Sequence, residues 1–120
     1  MEARHLLKDL KDDGWYLGAT EGACRQYVHK AHPYVITVSV RYNDVLGPGT
    51  QASVERAAEA EPHPDPHVEV EPTKTGFSAF SPELPGVIAT GATEAEARDR
   101  QTQAVELHLQ AVRQRAGRSG

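Results

Sequence analysis

A run of three prolines within five residues, Pro62-His63-Pro64-Asp65-Pro66, constrains this chain more than any other feature of its sequence. Proline has no backbone N–H to donate and its ring clashes with the preceding helical turn, so such a run fits neither a helix nor a central strand. We therefore predict a linker at residues 62–66, between a first unit at 1–61 and a second unit at 67–120. In a chain of 120 residues, two separate cores of half size are marginal, which favours packing of the units against each other.

The first unit has the pattern of an α-β-β-β-α arrangement. One helix face is predicted over residues 1–13 from the spacing of Ala3, Leu6, Leu7 and Leu10, and Gly14 is the natural stop. Three strands are predicted at 15–17, 24–29 and 34–40, and we expect only one face of the last strand to be buried. A turn at Gly47-Pro48-Gly49 then leads to Thr50 as the N-cap of a helix over 52–61.

The second unit has the pattern β-β-β-α. Strands are predicted at 68–71, 76–81 and 87–90. A capping box from Thr93 to Glu96 opens a long helix. Its predicted apolar stripe consists of Val105, Leu109 and Val112, and alanines at 97, 104 and 111 repeat beside it. The sequence therefore predicts an α+β protein.

Composition and charge argue against several classes of protein. The net charge is −4, with seven Lys/Arg and nine Asp/Glu in residues 1–61 and six and eight in the remainder. Because phosphate neutralisation supplies most non-specific affinity for nucleic acids, the lack of a basic excess makes DNA binding unexpected and any RNA binding weak. No apolar run approaches the ~18 residues of a membrane span and no secretion leader is recognisable, so we expect a cytoplasmic protein without membrane contact. The single cysteine excludes an internal disulfide.

Both units resemble families of one bacterial toxin-antitoxin system. The first unit resembles the HicA toxin, an mRNA interferase with a double-stranded-RNA-binding-like fold, in LL at 6–7 with Leu10, GW at 14–15, GACRQY at 22–27, and GT at 49–50 with Ser53 and Ala58. The second unit resembles the HicB antitoxin, a partial RNase-H-like fold, in GFSAFSPELPG at 76–86, TGAT at 90–93, EA at 96–97 and VELHL at 105–109. Together the two resemblances span nearly the whole chain.

The first unit departs from the HicA pattern at the position that carries the chemistry. The resemblance places the family's catalytic histidine at Cys24 and the adjacent serine at Ala23, while its second common histidine falls near Arg41. RNA cleavage through the 2′-hydroxyl needs an acid and a base near neutral pH, which imidazole provides and a thiol of pKa near 8.5 does not. His29, the nearest substitute, lies five residues from Cys24, so strand alternation places the two side chains on opposite faces. We expect Cys24 to be a small strand residue without activity.

Other candidate sites are weaker. Arg25, Lys30 and Arg41 are the cations that we name as RNA-binding candidates. The six histidines match no standard zinc spacing, so we expect no metal and no cofactor. The segment Gly47 to Thr50 is either a turn with an N-cap or an anion-binding nest at a helix N-terminus. On the long helix we expect His108 to be a packing residue.

These observations favour a natural HicA-HicB-like fusion whose toxin half lacks ribonuclease activity and acts in binding or assembly. Its first partner is then its own antitoxin-like half. Two alternatives remain: an active interferase neutralised in cis, and a decoy antitoxin that binds intact HicA-type toxins. DNA binding is not expected, because antitoxins of this family that bind operators carry a further DNA-binding segment, and only residues 113–120 follow the predicted stripe of the long helix.

We also expect a homo-oligomer, most simply a homodimer, formed through the second unit. Three strands and one helix would bury a single sheet face and leave an edge strand and residues 87–90 exposed, and exposed strand edges are usually covered or paired.

Overall fold

The structure is a computed structural model that describes residues 1–57 and 66–118, so the predicted linker lies outside the described residues except for Pro66. The helices are α1 (Ala3–Asp12), α2 (Pro48–Glu55) and α3 (Glu94–Arg118). The strands are β1 (Tyr16–Glu21), β2 (Cys24–His29), β3 (His32–Ser39), β4 (Glu69–Thr73), β5 (Gly76–Phe80) and β6 (Val87–Gly91). The predicted α+β class is confirmed. None of the helices in these two ranges is long and apolar enough to cross a membrane.

All six strands belong to one mixed sheet in the order β1-β2-β3-β6-β5-β4. Strands within each unit pair in antiparallel fashion, whereas β3 and β6 run parallel and join the two units. In that junction Thr37, Val38 and Ser39 lie opposite Val87, Ile88 and Ala89. The segments on either side of the proline run therefore contribute to the same sheet.

Helices cover both faces of this sheet. On one face α1 and α2 pack over a core that consists mainly of Leu6, Leu7, Leu10, Trp15, Ile36, Val38, Leu46, Val54 and Ile88. On the other face α3 packs over Cys24, Leu84 and Val87. The expectation that β3 buries only one face is wrong, because α3 covers the side that carries Val35, Thr37 and Ser39, all of them buried.

The expectation that residues 87–90 are exposed is also wrong. β6 is bordered by β3 and β5, and each of its five residues is buried. The parallel pairing with β3 protects the edge that a free second unit would have left open. The edges of the sheet are instead β1 and β4.

α2 begins earlier than its sequence pattern predicted. Its N-cap is Gly47 and its first residue is Pro48, whose fixed φ and missing N–H suit the first turn of a helix. Thr50 is therefore not the N-cap but a fully buried residue within the first turn. The helix ends at Glu55, short of the predicted residue 61, and residues 58–61 lie outside the described part of the chain.

α3 begins with the predicted capping contact, in which the Glu96 N–H donates to Thr93 Oγ1 over 3.1 Å. Ala97 and Ala104 are fully buried against the sheet. The approach is close at Gly91, where a Cβ atom would lie 2.5 Å from the backbone nitrogen of Ala97. Small residues on both sides therefore allow α3 to lie directly on β6.

Candidate functional site

Position 24, where the HicA resemblance places the catalytic histidine, lies at the start of β2 and faces α3. The Cys24 side chain is 5% exposed and belongs to a buried cluster with Leu84, Val105 and Leu109 of the second unit. Burial raises the pKa of the Cys24 thiol, and the neighbouring Ser39 hydroxyl acts in the opposite direction. The thiol is therefore protonated at neutral pH and almost fully shielded from solvent, which are poor conditions for an acid-base catalyst.

His29 lies on the opposite face of β2, as strand alternation predicted. Its ring packs edge-on against Trp15, with 5.2 Å between ring centroids, and Trp15 belongs to the core beneath α1. Because the Ala31 N–H donates to His29 Nδ1 over 2.9 Å, the proton is on Nε2, which lies 2.7 Å from the Asp13 carbonyl oxygen and donates to it. Both ring nitrogens are thus used locally, and no Cys-His pair forms with Cys24.

Three polar side chains form a buried row between the sheet and α3. Gln26 Nε2 lies 3.3 Å from Thr37 Oγ1, and Thr37 Oγ1 lies 2.9 Å from His108 Nδ1. Gln26 also donates to the Leu107 carbonyl oxygen over 3.4 Å, which joins β2 to α3. Burial lowers the pKa of His108 to about 4, so the imidazole is neutral, and its Nδ1 shares a hydrogen bond with the Thr37 hydroxyl.

The packing role expected for His108 is confirmed by its burial, but its hydrogen bond was not predicted. The available signal was in β3, where Thr37 and Ser39 share a face with Val35 and alternate along the strand with the apolar residues Ile36 and Val38. Polar residues at alternate positions of such a strand indicate either a solvent-facing side or a covered polar layer. Here they belong to a covered polar layer, which the sequence alone did not distinguish from solvent exposure.

The three RNA-binding candidates do not converge. Arg25 faces away from α3, with its guanidinium 4.8 Å from the ring centre of Tyr42. Arg41 pairs with Asp44 over 3.1 Å at the same end of the sheet. Lys30 lies in the turn after β2, five residues from Arg25, which corresponds to about 16 Å along a strand. The structure therefore brings two of these cations near one another but not the third.

The segment Gly47 to Thr50 does hold an anion, and the anion is the chain's own Glu71. The carboxylate of Glu71 accepts from Gly49 N and Thr50 N over 2.9 Å each and from Thr50 Oγ1 over 2.8 Å. A Cβ atom at Gly49 would lie 2.6 Å from the Phe80 ring, which explains glycine at this close approach. The start of α2 is thus a carboxylate site that ties the first unit to β4 of the second.

The described histidines do not form a metal centre with other ligands. His67 pairs with Glu83, and this contact raises the pKa of His67 and lowers that of Glu83 to about 2. His29 and His32 lie 4.5 Å apart between ring centres. His63 lies outside the described residues. Within residues 1–57 and 66–118, no group of three His, Cys, Asp or Glu side chains is placed to hold a metal ion.

The contacts described above join the two units from β2 of the first to β4 of the second. Further hydrogen bonds of the same kind link Ser78 Oγ to the Gly47 N–H, Ser53 Oγ to the Gly86 N–H, and Thr90 Oγ1 to Asp44. Comparison of the chain with protein-family models, with curated proteins and with solved structures gave no match. The effect of these hydrogen bonds and apolar contacts is to hold the second unit in place over Cys24.

Proposed function

We propose that this chain is a HicA-HicB-like fusion in which the antitoxin-like unit is docked on a toxin-like unit without ribonuclease activity, and that it acts as a binding or assembly protein. In this proposal α1-β1-β2-β3-α2 is the double-stranded-RNA-binding-like unit, and β4-β5-β6-α3 is the partial RNase-H-like HicB unit. The element order of the two segments supports that division.

The observation that carries the proposal is the burial of Cys24 beneath the second unit. An RNA strand would have to displace Leu84 and α3 to reach this position, and would then meet a protonated thiol instead of an imidazole. The dispersal of Arg25, Lys30 and Arg41 adds to the argument, since a phosphate backbone needs cations along one path.

Docking in cis is supported by directional contacts and not only by apolar packing. Glu71 at the start of α2, His108 on Thr37 and the parallel β3-β6 pair all join residues of different units. This argues against the decoy-antitoxin alternative, because the surface of the second unit that would receive a toxin is already occupied by the first. The buried, protonated thiol of Cys24 argues against the other alternative, an active interferase that is neutralised in cis.

The test is an RNA-cleavage assay on the full chain with an mRNA transcript as substrate. We expect no cleavage above buffer for the wild type, and none for Cys24→His, because the restored imidazole would still be buried. The matched variant Cys24→Ala separates enzyme from contaminant: cleavage by the wild type that Cys24→Ala abolishes would show an active interferase and overturn the proposal.

A second arm tests the docking. Residues 1–61 and 67–120, expressed together as separate chains, should co-purify as a complex, because the contacts between units do not depend on a covalent connection. Expression of residues 1–61 alone should not arrest growth. If the two fragments fail to associate, the single-chain assembly is wrong even where RNA cleavage is absent.

A further inference from the structure

The two edges of the sheet are protected to very different degrees. At one edge, β4 carries Glu69, Glu71 and Pro72, and proline and charge are the usual means by which an edge strand avoids pairing with another chain. At the other edge, β1 (sequence YLGATE) has no proline and no cation, and its only charge is Glu21 at the end. All six β1 residues are exposed.

β1 also exposes two large apolar side chains. Tyr16 is 50% exposed and Leu17 is 51% exposed, and consecutive residues of a strand point to opposite faces. The one protective feature of this strand is an irregularity between Leu17 and Ala19, where Gly18 is the extra residue. An open strand edge with an apolar side chain on each face is a template for pairing with another strand.

A shallow groove continues from this edge onto the face that carries α3. It has a volume of about 350 Å³ and is lined by Tyr16, Gly18, Ala19, Gln26, Val28, Val35, Ala111 and Gln114. None of these residues is charged. A strand added beside β1 would place alternate side chains next to this neutral groove.

We propose that β1 is the self-association surface of this protein, and that a second copy of the chain pairs with it through its own β1 in an antiparallel, two-fold arrangement. The register that aligns the two strands over their length places Tyr16 opposite Glu21 and Leu17 opposite Thr20 of the other copy, with the extra residue Gly18 of each copy beside the two-fold axis. A two-fold axis perpendicular to the sheet keeps α3 of both copies on the same face. The two neutral grooves then merge into one channel between the helices.

The charges of β1 are compatible with this pairing. In the two-fold register the two Glu21 carboxylates lie at opposite ends of the paired strands, about 17 Å apart. Each is brought to the end of the sheet where Lys30 of the other copy lies in the turn after β2. Pairing of β4 with β4 would instead bring Glu69 and Glu71 of both copies into one short strand pair and would lack the N–H of Pro72. β1 is therefore better suited than β4 to pair with the same strand of a second copy.

A six-residue strand pair is smaller than the ~800 Å² per partner of a standard interface, so the dimer should be weak and concentration dependent. This surface also differs from the one expected from sequence, which lay in the second unit. The inference does not rest on the proposed function, because a chain that cleaves RNA could still pair through β1.

The experiment combines sedimentation of the full chain over a concentration series with amide hydrogen exchange at both ends of that series. We expect reversible dimers at high micromolar concentration and increased protection of β1 amides under those conditions. β4 serves as the internal control and should show no change in protection. A strict monomer at the highest concentration, or protection that increases at β4 or α3 and not at β1, would overturn the proposal.

Two variants sharpen the test. Leu17→Lys places a cation at the centre of the proposed strand pair and should raise the dimer dissociation constant at least about tenfold, equivalent to ~1.4 kcal/mol. Gln103→Lys adds the same charge at an exposed position of α3 and should leave the dissociation constant unchanged. Circular dichroism and urea unfolding of both variants verify that they fold. Equal effects of the two would mean that net charge, and not the β1 edge, controls association.

Discussion

α1 and α3 lie on opposite faces of the same sheet but are held there by different kinds of contact. The buried residues of α1 are Ala3, Leu6, Leu7 and Leu10, all of them apolar. The buried residues of α3 include two fully buried alanines and the polar residues Gln101 and His108. Gln101 Nε2 donates to Ser81 Oγ and to the Val87 carbonyl oxygen, and His108 Nδ1 is hydrogen-bonded to Thr37 Oγ1.

The difference shows what each attachment can specify. Apolar contact is nearly non-directional, so α1 is stabilised by the area it removes from water. Hydrogen bonds in a low-dielectric interior are directional and costly to leave unmade, so the position of α3 along and around its own axis is fixed by partners on β3 and β6. α1 is therefore attached to the sheet by apolar packing, whereas α3, which connects the units, is also attached by directional hydrogen bonds.

The largest expected effect comes from the apolar attachment. Leu6→Ala removes a side chain that is 5% exposed, and should lower the free energy of unfolding by about 3 kcal/mol through lost burial and the cavity left behind. Urea unfolding followed by circular dichroism measures it. Lys8→Ala, at an exposed position of the same helix, is the control and should change stability by less than ~0.5 kcal/mol. Similar losses for both variants would mean that α1 is not held by its leucines.

The sequence predicted α1 and its buried face well because a leucine stripe at helical spacing has one physical explanation. It also predicted β2 to β6 and the start of α3 at Thr93, but it placed the first strand at residues 15–17, whereas β1 runs from Tyr16 to Glu21. It did not predict that β3 and β6 would pair, because a parallel pair across a proline-rich connection leaves no local signal. The second covered face of β3, the buried β6 and the Glu71 site at α2 all follow from that pairing. Cys24 could be placed on a strand, but not beneath α3.

The next effect is a dependence on pH that belongs to α3. Burial lowers the pKa of His108 from 6.5 to about 4, so the unfolded chain takes up a proton before the folded one does. The contribution of His108 to the free energy of unfolding is therefore fully present above pH 6.5. It falls as the pH is lowered to about 4 and does not change below that. The loss should be about 3 kcal/mol, from 1.36 kcal/mol for each unit of pKa. Urea unfolding at a series of pH values measures it.

His108→Gln provides the control for this pH dependence. In the His67–Glu83 pair, the raised pKa of His67 gives a contribution of the opposite sign as the pH falls, and the lowered pKa of Glu83 gives one of the same sign. The difference between the wild type and His108→Gln isolates the contribution of His108. If the two proteins lose stability in parallel between pH 7 and 4, the buried imidazole is not the responsible group.

The smallest effect concerns the single hydroxyl that joins Gln26 to His108. Thr37→Val keeps the shape of the side chain but leaves Gln26 Nε2 and His108 Nδ1 without this partner, which should cost about 1 to 2 kcal/mol. The double variant Thr37→Val/His108→Leu removes one of those unpaired groups. Its loss should therefore be smaller than the sum of the two single losses, by at least ~0.5 kcal/mol. Urea unfolding of the four proteins completes the cycle.

The same substitution also tests the separation of the two attachments. Thr37 lies beneath α3 and Leu6 is on the buried face of α1, so the two residues are on opposite faces of the sheet and share no partner. The losses from Thr37→Val and Leu6→Ala should therefore add to within about 0.5 kcal/mol in the combined variant. Strong coupling between them would mean that the sheet transmits a change on one face to the other, and that the apolar and directional attachments act as one unit. Additivity would instead allow α3 to loosen over position 24 while α1 and its core stay intact.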